Sequence, residues 1–293
     1  MSRQAKDLLE SAKRLKATPF GGSLHDSDDP EYLPIYQAYL VDRLNLTPPE
    51  PDTPQWERRN RESAWIRKKM VAAYLCICNE LGFRPRYASE KMLFQLSDNC
   101  IRDFLAQMDG LYIRRRTDID NFVAARIPPD EQDQAFRAVS TSKHDFILSS
   151  GVSSPNETRW LVDALGELTA RLQSGPTIKA ALQSTERGVF VLKLPPDNSL
   201  RSVKRVIQEA GEAGFLKLLK APSGELRFRV HCSLAPFFGF SYRGSYYPVQ
   251  LQGPILESIY QETSLEKRNE LISRLVVTFN EAKDNLTLFG NRR

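Results

Sequence analysis

Basic side chains recur at helix and strand spacing in the C-terminal half of the sequence. Residues 199–231 hold seven Lys or Arg and three Asp or Glu, a net charge of +4. Cations on a helix and an adjoining β-ribbon can contact phosphates on both sides of a groove, and counterion release drives such binding. The side chains that this pattern predicts to contact DNA are Arg201, Lys204, Arg205, Gln208, Lys217, Lys220, Arg227 and Arg229.

The same charges are also typical of surfaces that only face water. An amphipathic helix and a half-exposed antiparallel sheet both carry Lys and Arg on their solvated sides. Modules in which a basic helix is followed by a β-hairpin also bind proteins instead of DNA. Both interpretations stay open on the sequence alone.

The cysteines and histidines lack the spacing of a metal site. Cys76 and Cys78 are two residues apart, unlike the C-x-x-C pattern that holds zinc. His25, His144 and His231 are distant from one another in the chain. We therefore expect no metal and interpret the cysteines as small buried thiols of a cytoplasmic protein.

No motif of nucleotide binding or nucleophilic catalysis occurs in the sequence. None of the 15 glycines is followed by lysine, so there is no phosphate-binding P-loop. The patterns G-x-G-x-x-G and G-x-S-x-G are also absent. We expect no catalytic residues, no cofactor and no autonomous enzyme activity.

Helical patterns dominate the first 175 residues. The proline-rich stretch at 48–54 predicts a linker, because each proline fixes φ and removes a donor. A long helix is predicted over 55–81, a second over 89–96, and a third from Ser97 or Asp98 to about Arg115. The third is expected to bury Ile101, Phe104, Leu105 and Met108. Two further helices are predicted from Pro128 to Ser140 and from Pro155 to Gly175.

Strand patterns appear after this point. The run 188–194 is β-branched and aromatic, which predicts a strand. Ser199 is a candidate cap for a helix over 200–213 whose buried side chains are Val203, Val206, Ile207 and Ala210. A β-hairpin is predicted from 215 to 232, with Arg227, Arg229 and His231 on its wet face. A capping box at Thr263 opens a last helix that ends near Asn280.

The order helix, strand, helix, hairpin is that of a winged helix-turn-helix. In this fold the helix before the hairpin lies in a DNA groove and the hairpin forms the wing. The expected fold class is therefore mainly α with a small β-hairpin. The predicted segments are N-terminal helices and linker over 1–54, a helical bundle over 55–126, a connector over 127–154, a winged helix over 155–248 and a helical tail over 249–293.

Two motifs resemble a known family. The segment from Pro85 to Leu105 is similar to the helical lid of origin-recognition-like AAA+ ATPases of bacterial type. The segment from Leu234 to Gly244 is similar to the stretch that leaves the wing in the same family. The resemblance implies a lid followed by a winged helix that binds double-stranded DNA. It also implies that Arg102 is a sensor arginine that reaches the γ-phosphate of a nucleotide.

The sequence departs from this family because the nucleotide-binding core is missing. Residues 1–54 are too short to supply it. Three explanations stay open: the gene is split, the chain is a fragment, or the lid and the winged helix act alone. In each case ATP is expected only if a partner P-loop ATPase carries the core. The alternative function is a non-enzymatic adaptor that docks such an ATPase or a defence effector.

Charge and hydropathy set further limits. The chain has 293 residues, a net charge of +5 and 41% apolar residues, enough for a sizeable core. No run approaches 18 consecutive apolar residues, and the first residues lack the pattern of a secretory signal. We therefore expect a cytoplasmic protein with no membrane partner.

Overall fold

A computed structural model of the chain describes residues 84–116, 118–124, 127–174, 186–197, 199–244 and 247–289, together with Val71, Leu75, Cys78 and Asn79. The predictions for residues 1–54 lie outside the described residues. Most of the helix predicted over 55–81 lies outside them too. The four isolated residues fall within that stretch and are helical, as predicted.

The chain divides into two compact units. The first comprises Met1–Pro85 and Ser174–Thr185, and in it the Asn79 amide donates a hydrogen bond to the Ser174 carbonyl at 3.1 Å. The second comprises Arg86–Gln173 and Glu186–Arg293. The second unit contains nearly all of the described residues and, apart from Ser174 at the end of α5, all of the elements described below.

The fold is mainly α with a small sheet, as the sequence predicts. The described helices are α1 (Glu90–Ser97), α2 (Ile101–Arg115), α3 (Ile119–Ala124), α4 (Pro129–Phe146), α5 (Pro155–Ser174), α6 (Arg201–Glu212), α7 (Ala235–Phe238), α8 (Gly253–Gln261) and α9 (Leu265–Phe289). Among the described helices, none combines the length and the apolar content that crossing a bilayer requires.

The strands form one four-stranded sheet in the order β2-β3-β1-β4. They are β1 (Arg187–Lys193), β2 (Leu216–Leu219), β3 (Glu225–Val230) and β4 (Tyr247–Leu251). The pair β2–β3 is the predicted hairpin, and β3 also runs antiparallel to β1, with Phe228 opposite Phe190. β4 lies parallel to β1 on its other side. The sequence reasoning did not predict β4, which spans position 248, where it ended the winged-helix segment.

Most predicted helix boundaries agree with the structure, and the differences have local causes. α4 continues to Phe146, beyond the predicted end at Ser140, and the added turns bury His144 against the ring of Phe237. Ser199 does not cap α6; its backbone N–H instead donates a turn hydrogen bond to the side-chain carboxylate of Asp197. α9 continues to Phe289, and it is Ser264, not Thr263, whose hydroxyl accepts from the backbone of Lys267.

The turn between α1 and α2 has an unusual backbone. Asp98 and Asn99 both adopt left-handed conformations, with φ of 51° and 62°. Asp and Asn tolerate this region better than other residues with a side chain. Ser89 starts α1 by accepting a hydrogen bond from the backbone of Met92. The result is a tight reversal that directs the Asp98 side chain back into the protein, where it is buried.

Gly166 tests the packing of α5. A Cβ at this position would lie 2.6 Å from the ring atoms of Phe238, closer than packed atoms allow. Alanine favours helix formation over glycine by about 1 kcal/mol. We expect Gly166→Ala to lower the free energy of unfolding in spite of this, by about 1–3 kcal/mol, because overpacking dominates. Urea unfolding measures the change, and an increase in stability would show that α5 does not approach Phe238.

Candidate nucleic-acid interface

α6 is the most strongly amphipathic helix of the described residues. Its buried side is formed by Val203, Val206, Ile207 and Ala210, as predicted. These apolar positions recur every three or four residues, so one side of the helix packs on the protein and the other faces water. Three predicted DNA-contact residues lie on the exposed side: Arg201, Lys204 and Arg205. Gln208 is half-buried at the edge of this side.

Polar contacts also hold α6 in place. The backbone N–H and the hydroxyl of Ser153 donate to the carboxylate of Glu209 at 3.0 Å and 2.6 Å. On the first turn, Ser202 contacts Glu257 of α8 at 3.4 Å. These contacts occur at both ends of α6, so the helix that carries the exposed cations is held in place.

The exposed cations of α6 have little internal compensation. Arg201 and Lys204 form no ion pair with a carboxylate of the described residues. Arg205 lies 3.9 Å from Glu209, and its side chain is 57% exposed. A pair at this distance and exposure contributes little to stability. The charge of this face is therefore available to a ligand.

The outer part of the hairpin adds two cations. Lys220 is exposed where β2 ends. Arg227 is half-exposed on β3 and pairs with Glu225 at 3.1 Å. The structure thus keeps Lys220 and Arg227 at the surface, on the hairpin that directly follows α6.

The inner part of the hairpin differs from the prediction. Arg229 was expected on the wet face, but it is only 5% exposed. Its guanidinium forms an ion pair with Asp98 at 2.7 Å and donates to the sulfur of Cys232 at 3.0 Å. Lys217 is half-buried, and its ammonium donates to the Asp98 carbonyl at 3.2 Å. The prediction that Arg229 lies on the open face is wrong, because the α1–α2 turn covers that part of the sheet.

These contacts belong to a buried network of charged side chains. Asp103 accepts a hydrogen bond from Lys143 of α4 at 2.8 Å, parallel to the pair of Asp98 and Arg229. His231 lies between the two pairs, with Nε2 at 3.7 Å from Asp98 and 3.6 Å from Asp103. Burial lowers the pKa of Lys143, and the Asp103 carboxylate opposes that shift. The network joins α1–α2, α4 and β3.

The hydrogen bonds of His231 assign its tautomer. Its Nδ1 accepts from the backbone N–H of Ser233 at 3.3 Å, so in the neutral ring Nε2 carries the hydrogen and points toward Asp98 and Asp103. Burial holds the pKa of His231 well below its usual value, and nearby positive charges lower this pKa further. The cations responsible are Lys143, Arg229, Lys217 and Arg102.

Arg102, the predicted sensor arginine, lies at the other end of α6. Its guanidinium donates a long hydrogen bond, 3.5 Å, to the carbonyl of Ala213. A cation at this position meets the partial negative charge at the C-terminal end of a helix. Arg102 therefore connects α2 with the end of α6, and its nucleotide-sensing role stays a prediction.

The exposed face of α2 also contradicts the sequence-based expectation. Ile101 and Leu105 were predicted to be buried, but they are 72% and 58% exposed. The helix buries Asp103, Gln107 and Leu111. The predicted apolar side is therefore divided: Phe104 and Met108 pack against the core, whereas Ile101 and Leu105 face water. An exposed apolar face combined with buried polar side chains is an informative departure from the usual rule.

Sequence reasoning missed Asp98, Asp103 and Lys143, because their partners are distant in the chain. The only local signal was the alternation that placed Arg229 and His231 on one side of β3, and it did not reveal the cover over that side. Cys78 and Cys232 are buried as expected, whereas Cys100 is partly exposed. Within the described segments, no three His, Cys, Asp or Glu side chains are grouped as metal ligands.

The comparison with known families decides the relationship. The family model for ORC-CDC6-like proteins matches residues 1–251. The chain belongs to this family. The match confirms the resemblance to origin-recognition-like proteins for a range that reaches the end of β4. No curated protein and no solved structure gives a significant match to this ORC-CDC6-like chain.

The pKa of His231 predicts how the stability of this ORC-CDC6-like chain depends on pH. Because the folded protein holds this pKa below the ordinary value of 6.5, the unfolded chain binds more protons below that pH. The free energy of unfolding should therefore decrease as the pH is lowered below about 6.5, by up to about 1.4 kcal/mol for each pH unit. Urea unfolding between about pH 7 and about pH 5 measures the slope.

A His231→Gln variant is the matched control for this slope. Glutamine keeps a side-chain amide near Asp98 and Asp103 but does not titrate. The variant should lose the contribution of His231 while the other titrating groups remain. Equal pH slopes in the two proteins would contradict the assignment of this pH dependence to His231.

Proposed function

We propose that this ORC-CDC6-like protein binds double-stranded DNA through a winged-helix arrangement of α5, β1, α6 and the β2–β3 hairpin. In this proposal α6 enters the groove of the duplex and the hairpin is the wing. The observation that carries the proposal is the cationic face of α6, where Arg201, Lys204 and Arg205 are exposed and anchored by a buried apolar side.

The exposure of each cation decides whether it is proposed to contact DNA. Arg201, Lys204 and Arg205 are proposed to contact the duplex from α6, and Lys220 and Arg227 from the hairpin. Arg229 is not included because it is buried against Asp98. Lys217 is not included because its ammonium is engaged by the α1–α2 turn. Gln208 is proposed as a polar contact at the edge of α6.

Electrostatic contact of this kind is independent of base sequence. Each phosphate neutralised by Lys or Arg releases counterions, so the logarithm of the binding constant falls linearly with the logarithm of the salt concentration. The proposal assigns no catalytic step to the chain. ATP enters only if a partner chain supplies a nucleotide-binding core.

The triple variant Arg201→Ala, Lys204→Ala, Arg205→Ala tests the role of α6. Binding of a fluorescent random-sequence duplex is measured across a salt series. Each phosphate contact contributes about 0.9 to the slope, so the variant should bind more weakly with a slope shallower by about 2–3. The three side chains are exposed, so the free energy of unfolding should change little.

A second triple variant provides the control for charge. Lys91, Lys267 and Arg274 are exposed cations on α1 and α9, outside α6 and the hairpin. Their replacement by alanine removes the same net charge. If the α6 variant and this control change the salt slope equally, α6 is not part of the proposed interface.

A second candidate function is favoured by the exposed face of α2. Ile101 and Leu105, with Phe94 of α1 also exposed, form an apolar surface that a partner protein could bury. We propose as this partner a chain that carries a P-loop ATPase core. Arg102 follows Ile101 directly, so docking on this surface would bring the proposed sensor arginine close to the partner.

The variant Ile101→Ser, Leu105→Ser tests this adaptor function. It should abolish co-purification with a P-loop ATPase encoded beside the gene, because it removes the apolar contact area. Duplex binding should not change, since α6 is untouched. Val277→Ser, at an exposed apolar position on α9, is the control. An ATPase retained equally by both variants would exclude α2 as the docking surface.

A further inference from the structure

A groove of about 510 Å³ lies at the C-terminal end of α2. Four of the residues that line it are consecutive, and three of these are arginines: Arg114, Arg115 and Arg116. Here the helix ends at Arg115, and Arg116 adopts a left-handed backbone with φ of 50°. Arg114 and Arg115 line the groove from the last turn of the helix, and the change of chain direction at Arg116 adds the third arginine.

The charge of this groove is not balanced. Among the described residues that line it, Glu131 at the start of α4 carries the one carboxylate. Glu131 is engaged by Arg115, whose Nη1 lies 3.1 Å and 3.3 Å from the two carboxylate oxygens. Arg114 and Arg116 are exposed and form no ion pair with any carboxylate of the described residues. Two positive charges are therefore in excess among the described residues of the lining.

The acidic residues beside Glu131 do not supply this balance. Asp130 pairs with Arg86 at 2.8 Å. Asp133 pairs with Arg137 at 2.9 Å. The partial negative charge at the end of α2 favours nearby cations but acts only over the last turn. This partial charge does not engage the guanidinium hydrogen-bond donors of the exposed Arg114 and Arg116.

We propose that this groove is a second binding site, which takes phosphate groups. Planar guanidinium groups match the geometry of phosphate oxygens and donate two hydrogen bonds at once. Arg114 and Arg116 donate to the phosphate. Arg115, held by Glu131, is a positioning residue that fixes the end of the helix. Ile113, 62% exposed, gives the groove an apolar edge suited to the sugar next to a phosphate.

The source of the phosphate expected here is the backbone of duplex DNA, and this identity rests on the proposed function. The groove is formed by α2 and α4, whereas the first basic surface is formed by α6 and the hairpin. Both lie in the same compact unit. Because they share no residues, their contributions to the salt slope should add.

The test is the double variant Arg114→Ala, Arg116→Ala, measured with the same duplex across the same salt series. Two lost phosphate contacts should make the slope shallower by about 2, and the α6 triple variant should lower it further in combination. Lys267→Ala, Arg274→Ala removes the same number of exposed charges on α9 and should leave the slope nearly unchanged. Thermal unfolding confirms that each variant folds.

The outcomes separate this inference from the proposed function. If the double variant has the same salt slope as its α9 control, while the α6 triple variant still makes the slope shallower, the groove does not contact DNA. The proposed function is then retained. If the unaltered chain binds no duplex, the proposed function fails. The groove is then judged with pyrophosphate by isothermal titration calorimetry, and binding that is absent, or equal in the double variant, overturns it.

A free nucleotide is the other possible source of the phosphate. Titration with a nucleoside triphosphate measures this source directly. Nucleotide binding that the double variant loses, together with an unchanged duplex slope, would retain the phosphate site and overturn the DNA backbone as its ligand. Loss of duplex affinity without nucleotide binding supports the backbone.

Discussion

The ion pair between Asp98 and Arg229 determines how the rest of the described unit is arranged. It joins the α1–α2 turn to the middle of the sheet, and both side chains are almost fully removed from water. Removing one partner of such a pair costs about 3–5 kcal/mol, because the remaining charge stays buried without compensation. The pair of Asp103 and Lys143 and the neutral ring of His231 complete the junction. Helices and sheet are thus held together by charge as well as by apolar packing.

This junction divides the cations of the chain between two tasks. Those on the inner half of the hairpin, Arg229 and Lys217, balance or cap groups of the α1–α2 turn. Those on α6 and on the outer half of the hairpin remain at the surface. It also constrains the orientation of α2, since Asp103 can reach Lys143 only if its side of the helix faces inward. In this orientation Ile101 and Leu105 face water.

The sequence predicted the parts of this fold that depend on local patterns. The buried side of α6, the β2–β3 hairpin and the extent of α5 follow from periodicity and turn residues, and the structure agrees with them. β4 was missed because its short run between Tyr247 and Leu251 includes a proline and gains its stability by pairing with a distant strand. Arg229 and Ile101 were misplaced for a related reason. Each has an ordinary local pattern, and its burial is decided by a contact far away in the chain.

The backbone at Asp98 places two demands on one residue. The left-handed conformation, with φ of 51°, favours Gly, Asn or Asp, whereas the buried guanidinium of Arg229 needs a negative charge. Asparagine and glycine meet only the first demand, and glutamate meets only the second. Among the natural amino acids, aspartate alone satisfies both. In homologues that keep the arginine, this position should therefore vary less than its place in a surface turn would suggest, and its loss should coincide with a change at the arginine.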